Sequence, residues 1–272
     1  GRTFRQNICL KGNSIMKVGI ALSGGGARGI AHLGVLQALE DHGIEVTHIS
    51  GASAGSIGAA FYAHGYSPKA ILRIMDNTNL LKLAWPAFST RGLLSISKSE
   101  RVYKKYFPKD SFEDANIPLY VATTNLNTGM PEIFTSNSLS QAIMASCSIP
   151  FIFDPVKIGA HHYVDGGILN NLPTEPLIEV CDFVIGSNVS PVVPEEELGG
   201  PKSMIERVSM LTLSSNVLSS SKLCDLYLKP NELRKFGTFD FKKSAELFKI
   251  GYEYTQHMLE VSESPKLREL VG

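Results

Sequence analysis

The chain has 272 residues, 43% of them apolar, enough to bury a core without disulfides or a structural metal, which excludes disorder as the dominant state. Its 26 Lys and Arg balance 26 Asp and Glu, and a pI near 7.2 leaves no net field to gather nucleic acid or anionic lipid from a distance. No stretch nears the ~20 continuous apolar residues of a membrane-spanning helix, so the composition predicts a soluble protein.

Residues 1–15 (GRTFRQNICLKGNSI) lack a continuous apolar segment and a small-residue cleavage site, so they read as a tag remnant or loose N-terminal extension, not a secretory signal. From Met16 onward, apolar β-branched runs alternate with helical patterns, the rhythm of βα units around a largely parallel sheet. Residues 17–23 (KVGIALS) predict a strand. After a glycine turn, residues 30–42 predict a helix with one narrow polar stripe, Gln37, Glu40 and Asp41, stopped by Gly43. Residues 45–50 (EVTHIS) predict a second strand, and the small residues of 56–64 (SIGAAFYAH) a helix able to lie close to a sheet.

Residues 65–117 read as a helical insertion containing the apolar LLKLAWPAF (80–88) and the only tryptophan, Trp85. A strand over 119–124, a helix over 139–146 and a buried strand over 182–188 follow, then a polar Pro/Gly loop over 191–202. The end reads as a helix over 203–218, a short strand within 224–230 and a helix over 241–261 with Phe241, Ala245, Phe248, Tyr252 and Leu259 as its core-facing stripe. The expectation is one α/β domain over residues 16–272.

Two glycine-rich turns carry the chemistry. Gly51-Ala52-Ser53-Ala54-Gly55 is a GxSxG sequence between a predicted strand and helix, where the glycines leave room for a sharp turn that projects the Ser53 hydroxyl above the sheet edge. Gly24-Gly25-Gly26-Ala27-Arg28-Gly29 opens the first helix and offers backbone N–H groups with no side chains in the way. Those donors suit either the oxyanion of a serine attack or a dinucleotide pyrophosphate, since Gly24, Gly26 and Gly29 also match GxGxxG. Against the second reading, Glu45 begins the second strand where a ribose-binding acid should end it.

A serine needs a base, and Asp165 in Tyr163-Val164-Asp165-Gly166-Gly167, at the end of a short strand, is the strongest candidate, beside the plainer reading of an Asp-Gly-Gly turn. His161 and His162 are neighbours on an extended segment and face opposite ways, with no third ligand spaced to complete a metal site. His32 and His257 fall in helices and read as packing or surface residues.

The three elements in this order, Gly24 to Gly29, Gly51 to Gly55 and Asp165-Gly166-Gly167, resemble the patatin-like phospholipase family. Further likeness lies in Ala145-Ser146-Cys147-Ser148-Ile149-Pro150 and in GILNNLP (167–173), and the match runs from about residue 18 to 188. The resemblance implies a three-layer α/β/α sandwich with a mostly parallel central sheet and a Ser-Asp dyad that hydrolyses lipid acyl esters. On this chain Ser53 is then the nucleophile and Asp165 its base, with Gly25 and Gly26, helped by Arg28, lining the oxyanion hole. The glycines Gly24, Gly29, Gly51, Gly55, Gly166 and Gly167 complete the motifs. Asp-Gly-Gly departs from the Asp-Gly-Ala of plant members, as bacterial relatives do, and leaves the carboxylate unchanged. No cofactor and no metal are called for.

Two rival readings stand beside it. One is an α/β-hydrolase triad of Ser53, Asp165 and His257, which only two strands ahead of Ser53 and the helical setting of His257 oppose. The other is a non-catalytic nucleotide-binding protein that uses the glycine loop. The expected partner is a lipid or ester substrate and not a nucleic acid, with transient membrane-surface contact through LLKLAWPAF set against a plain core role for that stretch. Cys9, Cys147, Cys181 and Cys224 form no CxxC or ligand spacing, which predicts free thiols in a reducing, cytoplasmic setting.

Overall fold

A computed structural model of the chain describes residues 16–78, 98–150, 152–191, 199–238, 240–262 and 264–271. The N-terminal extension, Cys9 and the LLKLAWPAF segment lie outside the described residues.

The chain begins with β1 (Val18–Leu22), a 3-10 turn (Gly26–Ile30), α1 (Ala31–Asp41), β2 (His48–Ala52) and α2 (Ala54–Ala63). Helices α3 (Pro68–Thr78) and α4 (Lys98–Tyr106) follow, both within the stretch read as a helical insertion. Next come β3 (Leu119–Asn125), β4 (Met130–Phe134), α5 (Leu139–Ser146), β5 (Val156–Ile158), β6 (His161–Asp165) and the short helices α6 (Gly167–Asn170) and α7 (Glu175–Ile178). The described chain ends with β7 (Phe183–Ser187), α8 (Pro201–Ser215), α9 (Val217–Ser221), β8 (Leu226–Leu228), α10 (Ser244–Val261) and α11 (Pro265–Val271).

The strands form one sheet in the order β5-β6-β3-β2-β1-β7-β8, with β4 also paired to β3. From β3 to β8 every pairing is parallel, while β4, β5 and β6 pair antiparallel at the other end. Side chains alternate between two cores, as a pleated strand requires. Ile20 and Leu22 of β1, with Phe183 and Ile185 of β7, join the larger core, which holds α1, α2 and Leu247 and Leu259 of α10. Ala21 and Val184 point the other way, into a smaller core with Leu172, Leu177 of α7 and Val217 of α9. The sheet is thus flanked by helices on both faces, three layers in all.

Three elements depart from the sequence reading. Of the expected α10 stripe, Leu259 is buried and Phe241 and Phe248 pack on the larger core, but Ala245 is exposed and the buried line is Leu247, Gly251, Thr255 and Leu259. The cause is a close helix crossing: a Cβ on Gly251 would lie 2.0 Å from the Ala31 carbonyl oxygen, and one on Gly34 2.0 Å from that of Phe248. Small residues set that crossing, and they give no hydrophobic signal. Strands β4 and β5 have no counterpart among the expected elements; β4 is largely exposed or half-buried and β5 is three residues long, so neither carries a strong apolar pattern.

Candidate active site

Ser53 ends the β2 turn and caps α2 in a conformation few non-glycine residues adopt, φ 50° and ψ −126°. Its N–H donates to Ser146 Oγ at 2.8 Å, and its carbonyl accepts from the Ser56 hydroxyl at 2.6 Å and the Ser56 N–H at 2.9 Å. The flanking glycines let the turn close, because a Cβ on Gly55 would meet the Leu22 carbonyl oxygen at 2.3 Å and one on Gly51 the Gly55 backbone at 2.6 Å. The result is the strand–turn–helix elbow in which a GxSxG serine acquires mechanical meaning.

The Ser53 hydroxyl donates to Asp165 Oδ2 at 2.7 Å, joining residues 112 positions apart. Asp165 is the last residue of β6 and is held on three sides. Its N–H donates to the Ser148 carbonyl, its carbonyl accepts from Thr124 Oγ1, and Oδ1 accepts from the Gly167 N–H at 2.8 Å. The residue is 1% exposed. Burial raises its pKa, the bonds from Ser53 and Gly167 pull it back, and it comes to about 7. A carboxylate so placed is a far better proton acceptor than one in water.

The glycine loop lies against the serine: a Cβ on Gly24 would sit 2.9 Å from the Ser53 Cβ. Its carbonyls are pinned, Gly24 O by Ser190 Oγ at 2.7 Å and Gly25 O by Arg28 Nε at 3.4 Å. A trans peptide points its N–H away from its C=O, so these bonds turn the Gly25 and Gly26 amides to the opposite side. Among the described residues neither amide has a hydrogen-bond acceptor. Gly26 has φ 59°, and a Cβ there would come within 2.4 Å of the Thr238 carbonyl oxygen, a conformation and a space open only to glycine.

Arg28 is 2% exposed. Burial lowers its pKa to about 10, so it stays cationic at neutral pH, and no carboxylate among the described residues pairs with it. Among the described residues the loop thus offers two unpaired amides on the side away from its pinned carbonyls, and a buried positive charge without a carboxylate partner on the carbonyl side. The remaining motif glycines close the packing: Gly29 lies against Ala54, Gly166 against the Ala122 backbone and Gly167 beside Asn171 and Asp165.

The histidines stand apart from the dyad. His257 is exposed on α10, while Ser53 bonds Asp165 directly, leaving no place for an intervening imidazole. His161 bonds Asn125, and His162 is exposed. His32 is wholly buried, bridging the Ser23 carbonyl and Ser187 Oγ at 2.8 Å each, and burial lowers its pKa to about 4. Among the described residues no group of three or more His, Cys, Asp or Glu could hold a metal ion, and none of the described cysteines forms a disulfide.

The glycine loop sits where β1 and β7 part, a switch point at which nucleotides also bind in doubly wound sheets. Here the Ser53 side chain fills the space beside Gly24, and Glu45 is exposed ahead of β2 instead of at its end. Sequence reasoning missed three supporting residues: Ser146 at the elbow, Ser190 on the Gly24 carbonyl and Asn171, whose Oδ1 accepts from the Gly24 N–H at 2.9 Å. For Ser146 and Asn171 a signal was present, since both fall in blocks that carried the family likeness, ASCSIP and GILNNLP. No pattern marked Ser190.

Comparisons with known proteins agree with this architecture. Lysophospholipase NTE1 of Kluyveromyces lactis is 29% identical over 291 residues, covering 92% of this chain and 20% of that protein. An NTE family protein of Mycobacterium tuberculosis is 30% identical over 220 residues, 80% of this chain and 60% of that one. The chain therefore spans from about a fifth to three fifths of the length of these relatives. Among solved structures, VipD from Legionella pneumophila matches with a TM-score of 0.54 at 20% identity, over 90% of this chain and 67% of that chain. A structure of full-length SpcU with full-length ExoU from Pseudomonas aeruginosa matches with a TM-score of 0.51 at 16% identity, over 90% and 52%. These two share the fold. The family model described as Patatin-like phospholipase matches residues 20–178, more than half of the chain, and the chain belongs to the patatin-like phospholipase family.

Proposed function

We propose that the protein hydrolyses the acyl ester of a lipid, of the phospholipid or lysophospholipid kind, through an acyl-enzyme on Ser53. The observation that carries the reading is the 2.7 Å bond from a strained, elbow-mounted serine to a buried carboxylate. Membership of the patatin-like phospholipase family and relatives named lysophospholipase support the substrate class.

In the first half-reaction Asp165 Oδ2 accepts the Ser53 proton as Oγ bonds to the acyl carbonyl carbon. The oxygen that becomes negative is met by the Gly25 and Gly26 amides, with the Arg28 charge behind them. A single well-aimed donor of this kind is worth about 3–4 kcal/mol. When the carbonyl re-forms, the alcohol of the lipid departs and takes the proton from Asp165. In the second half, a water gives a proton to Asp165 and its oxygen to the acyl carbon, and as the acyl–Oγ bond breaks Asp165 returns that proton to Ser53, which releases the fatty acid and restores both groups. One carboxylate serves both halves, and its raised pKa suits it to both directions of transfer.

The test is fatty acid release from a panel of diacylphospholipids, lysophospholipids and p-nitrophenyl esters. The wild type is expected to cleave at least one lipid, with Ser53→Ala slower by about 10³-fold or more. Cleavage of none, or an Ala variant as fast as wild type, would overturn the reading.

A further inference from the structure

Helix α8 presents one face to the candidate site and another to solvent. The inner face is tied to both halves of the site. Ser214 Oγ donates to the Ser190 carbonyl at 3.3 Å, and Ser190 Oγ holds the Gly24 carbonyl of the glycine loop. Asn216, between α8 and α9, accepts from the Asn171 N–H at 2.8 Å and donates to the carbonyls of Gly167 and Ile168 at 3.1 and 3.2 Å. Leu213 packs on Gly167, where a Cβ would meet its Cδ2 at 2.4 Å. The end of α8 is thereby fixed beside the turn that follows Asp165.

The outer face is apolar. Met204, Val208 and Leu211 are 50%, 56% and 46% exposed and stand at the four-then-three spacing of a single helical stripe, which Leu218 of α9, 68% exposed, extends. Leu169, on the α6 turn against which α8 packs, is 37% exposed and brings apolar surface to the edge of the site. Scattered apolar side chains on a surface need no explanation, but a continuous stripe along a helix beside a cleft marks a docking face. Two features select its partner. The stripe runs up to a site whose proposed substrate is itself a lipid, and exposed Lys222 stands four residues beyond Leu218, at the end of α9. An apolar stripe that ends in a cation matches the boundary between acyl chains and phosphate headgroups.

We propose that the outer face of α8 and α9 is the surface on which this protein docks to a phospholipid membrane, Met204, Val208, Leu211 and Leu218 entering the headgroup–acyl boundary next to the Ser53–Asp165 pair. The choice of partner rests on the lipid hydrolase reading, and the test keeps the two separable. The full chain as wild type, Ser53→Ala and the triple variant Met204→Gln, Val208→Gln, Leu211→Gln is sedimented with vesicles of phosphatidylcholine and phosphatidylglycerol. Wild type and Ser53→Ala are expected to bind alike, and the triple variant to bind about tenfold more weakly or worse. The triple variant should also cleave vesicle lipid more slowly in proportion, yet keep its melting temperature and cleave a monomeric p-nitrophenyl ester within about twofold of wild type. If the protein binds vesicles through this face but cleaves no ester, the docking surface stands and the hydrolase reading fails. Vesicle binding that is absent in the wild type or undiminished in the triple variant would overturn the proposal. So would loss of monomeric-ester cleavage in parallel with vesicle binding, or a stripe whose substitution only splits a dimer.

Discussion

In the proposed mechanism Asp165 does the work of the imidazole in a three-membered relay, and its surroundings explain how a carboxylate can serve there. Buried at the end of β6, it loses the hydration that makes an ordinary aspartate a weak base, and its pKa rises from 3.8 to about 7. Below that value the carboxyl group is protonated and unable to accept from Ser53, so kcat/KM for an uncharged ester is expected to rise about tenfold per pH unit up to a midpoint near 7 and then level off. Initial rates from pH 5 to pH 9 give the comparison, and a flat profile across neutrality would remove Asp165 from the base role. Ser53 and the glycine loop were legible in the sequence because short glycine spacings encode tight turns locally, whereas Asp165, 112 positions from Ser53, read equally as a turn aspartate and was singled out by the family resemblance. Ser190 was not legible, since it meets Gly24 from 166 positions away and only the closed fold brings the two together.

The elements differ in how their small residues are used, and substitution separates the cases. In α2, a Cβ on Gly58 would meet only Leu22 Cδ1 at 3.8 Å and Leu33 Cδ2 at 3.9 Å, ordinary contacts. Gly58→Ala is expected to stabilise the protein by about 0.5–1 kcal/mol, the usual gain of Ala over Gly inside a helix. In α10, Gly251→Ala would press a methyl group into the Ala31 carbonyl, and it is expected to destabilise by about 1–3 kcal/mol or more. Melting temperatures of the two variants should therefore move in opposite directions; a Gly251→Ala variant as stable as wild type would refute the close α1–α10 crossing. The same contact explains why the apolar pattern of α10 finds Leu259 and the core-packed Phe241 and Phe248 but misses the buried Gly251. Periodicity reports where large apolar residues fall, while Gly251 buries by fitting closely to the Ala31 backbone. The parallel run from β3 to β8 was legible through its apolar strands, and the half-exposed edge strands β4 and β5 were not.

Across the whole molecule, two buried groups oppose each other in the pH dependence of stability. The neutral His32 ring, its pKa lowered from 6.5 to about 4, leaves the unfolded chain binding the extra proton between those values, so this group makes stability rise with pH there. Asp165 does the reverse: between 3.8 and about 7 the folded state holds a proton that the unfolded chain releases, and stability falls as pH rises. Each slope is limited to about 1.4 kcal/mol per pH unit, so over their shared range the two largely cancel. Asp165→Asn removes only the falling branch. Its denaturation midpoint is expected to climb from pH 4 to pH 6.5 and to exceed that of wild type at pH 8, whereas parallel curves for the two proteins would contradict the buried environments described for both groups. Whether Ser53 is a nucleophile activated by Asp165, the premise on which the proposed chemistry stands, is decided by reaction with a fluorophosphonate followed by peptide mass mapping. A single adduct on Ser53 is expected, forming more slowly as pH falls below 7 and nearly absent in Asp165→Asn; an adduct on another residue, or undiminished labelling of that variant, would contradict it.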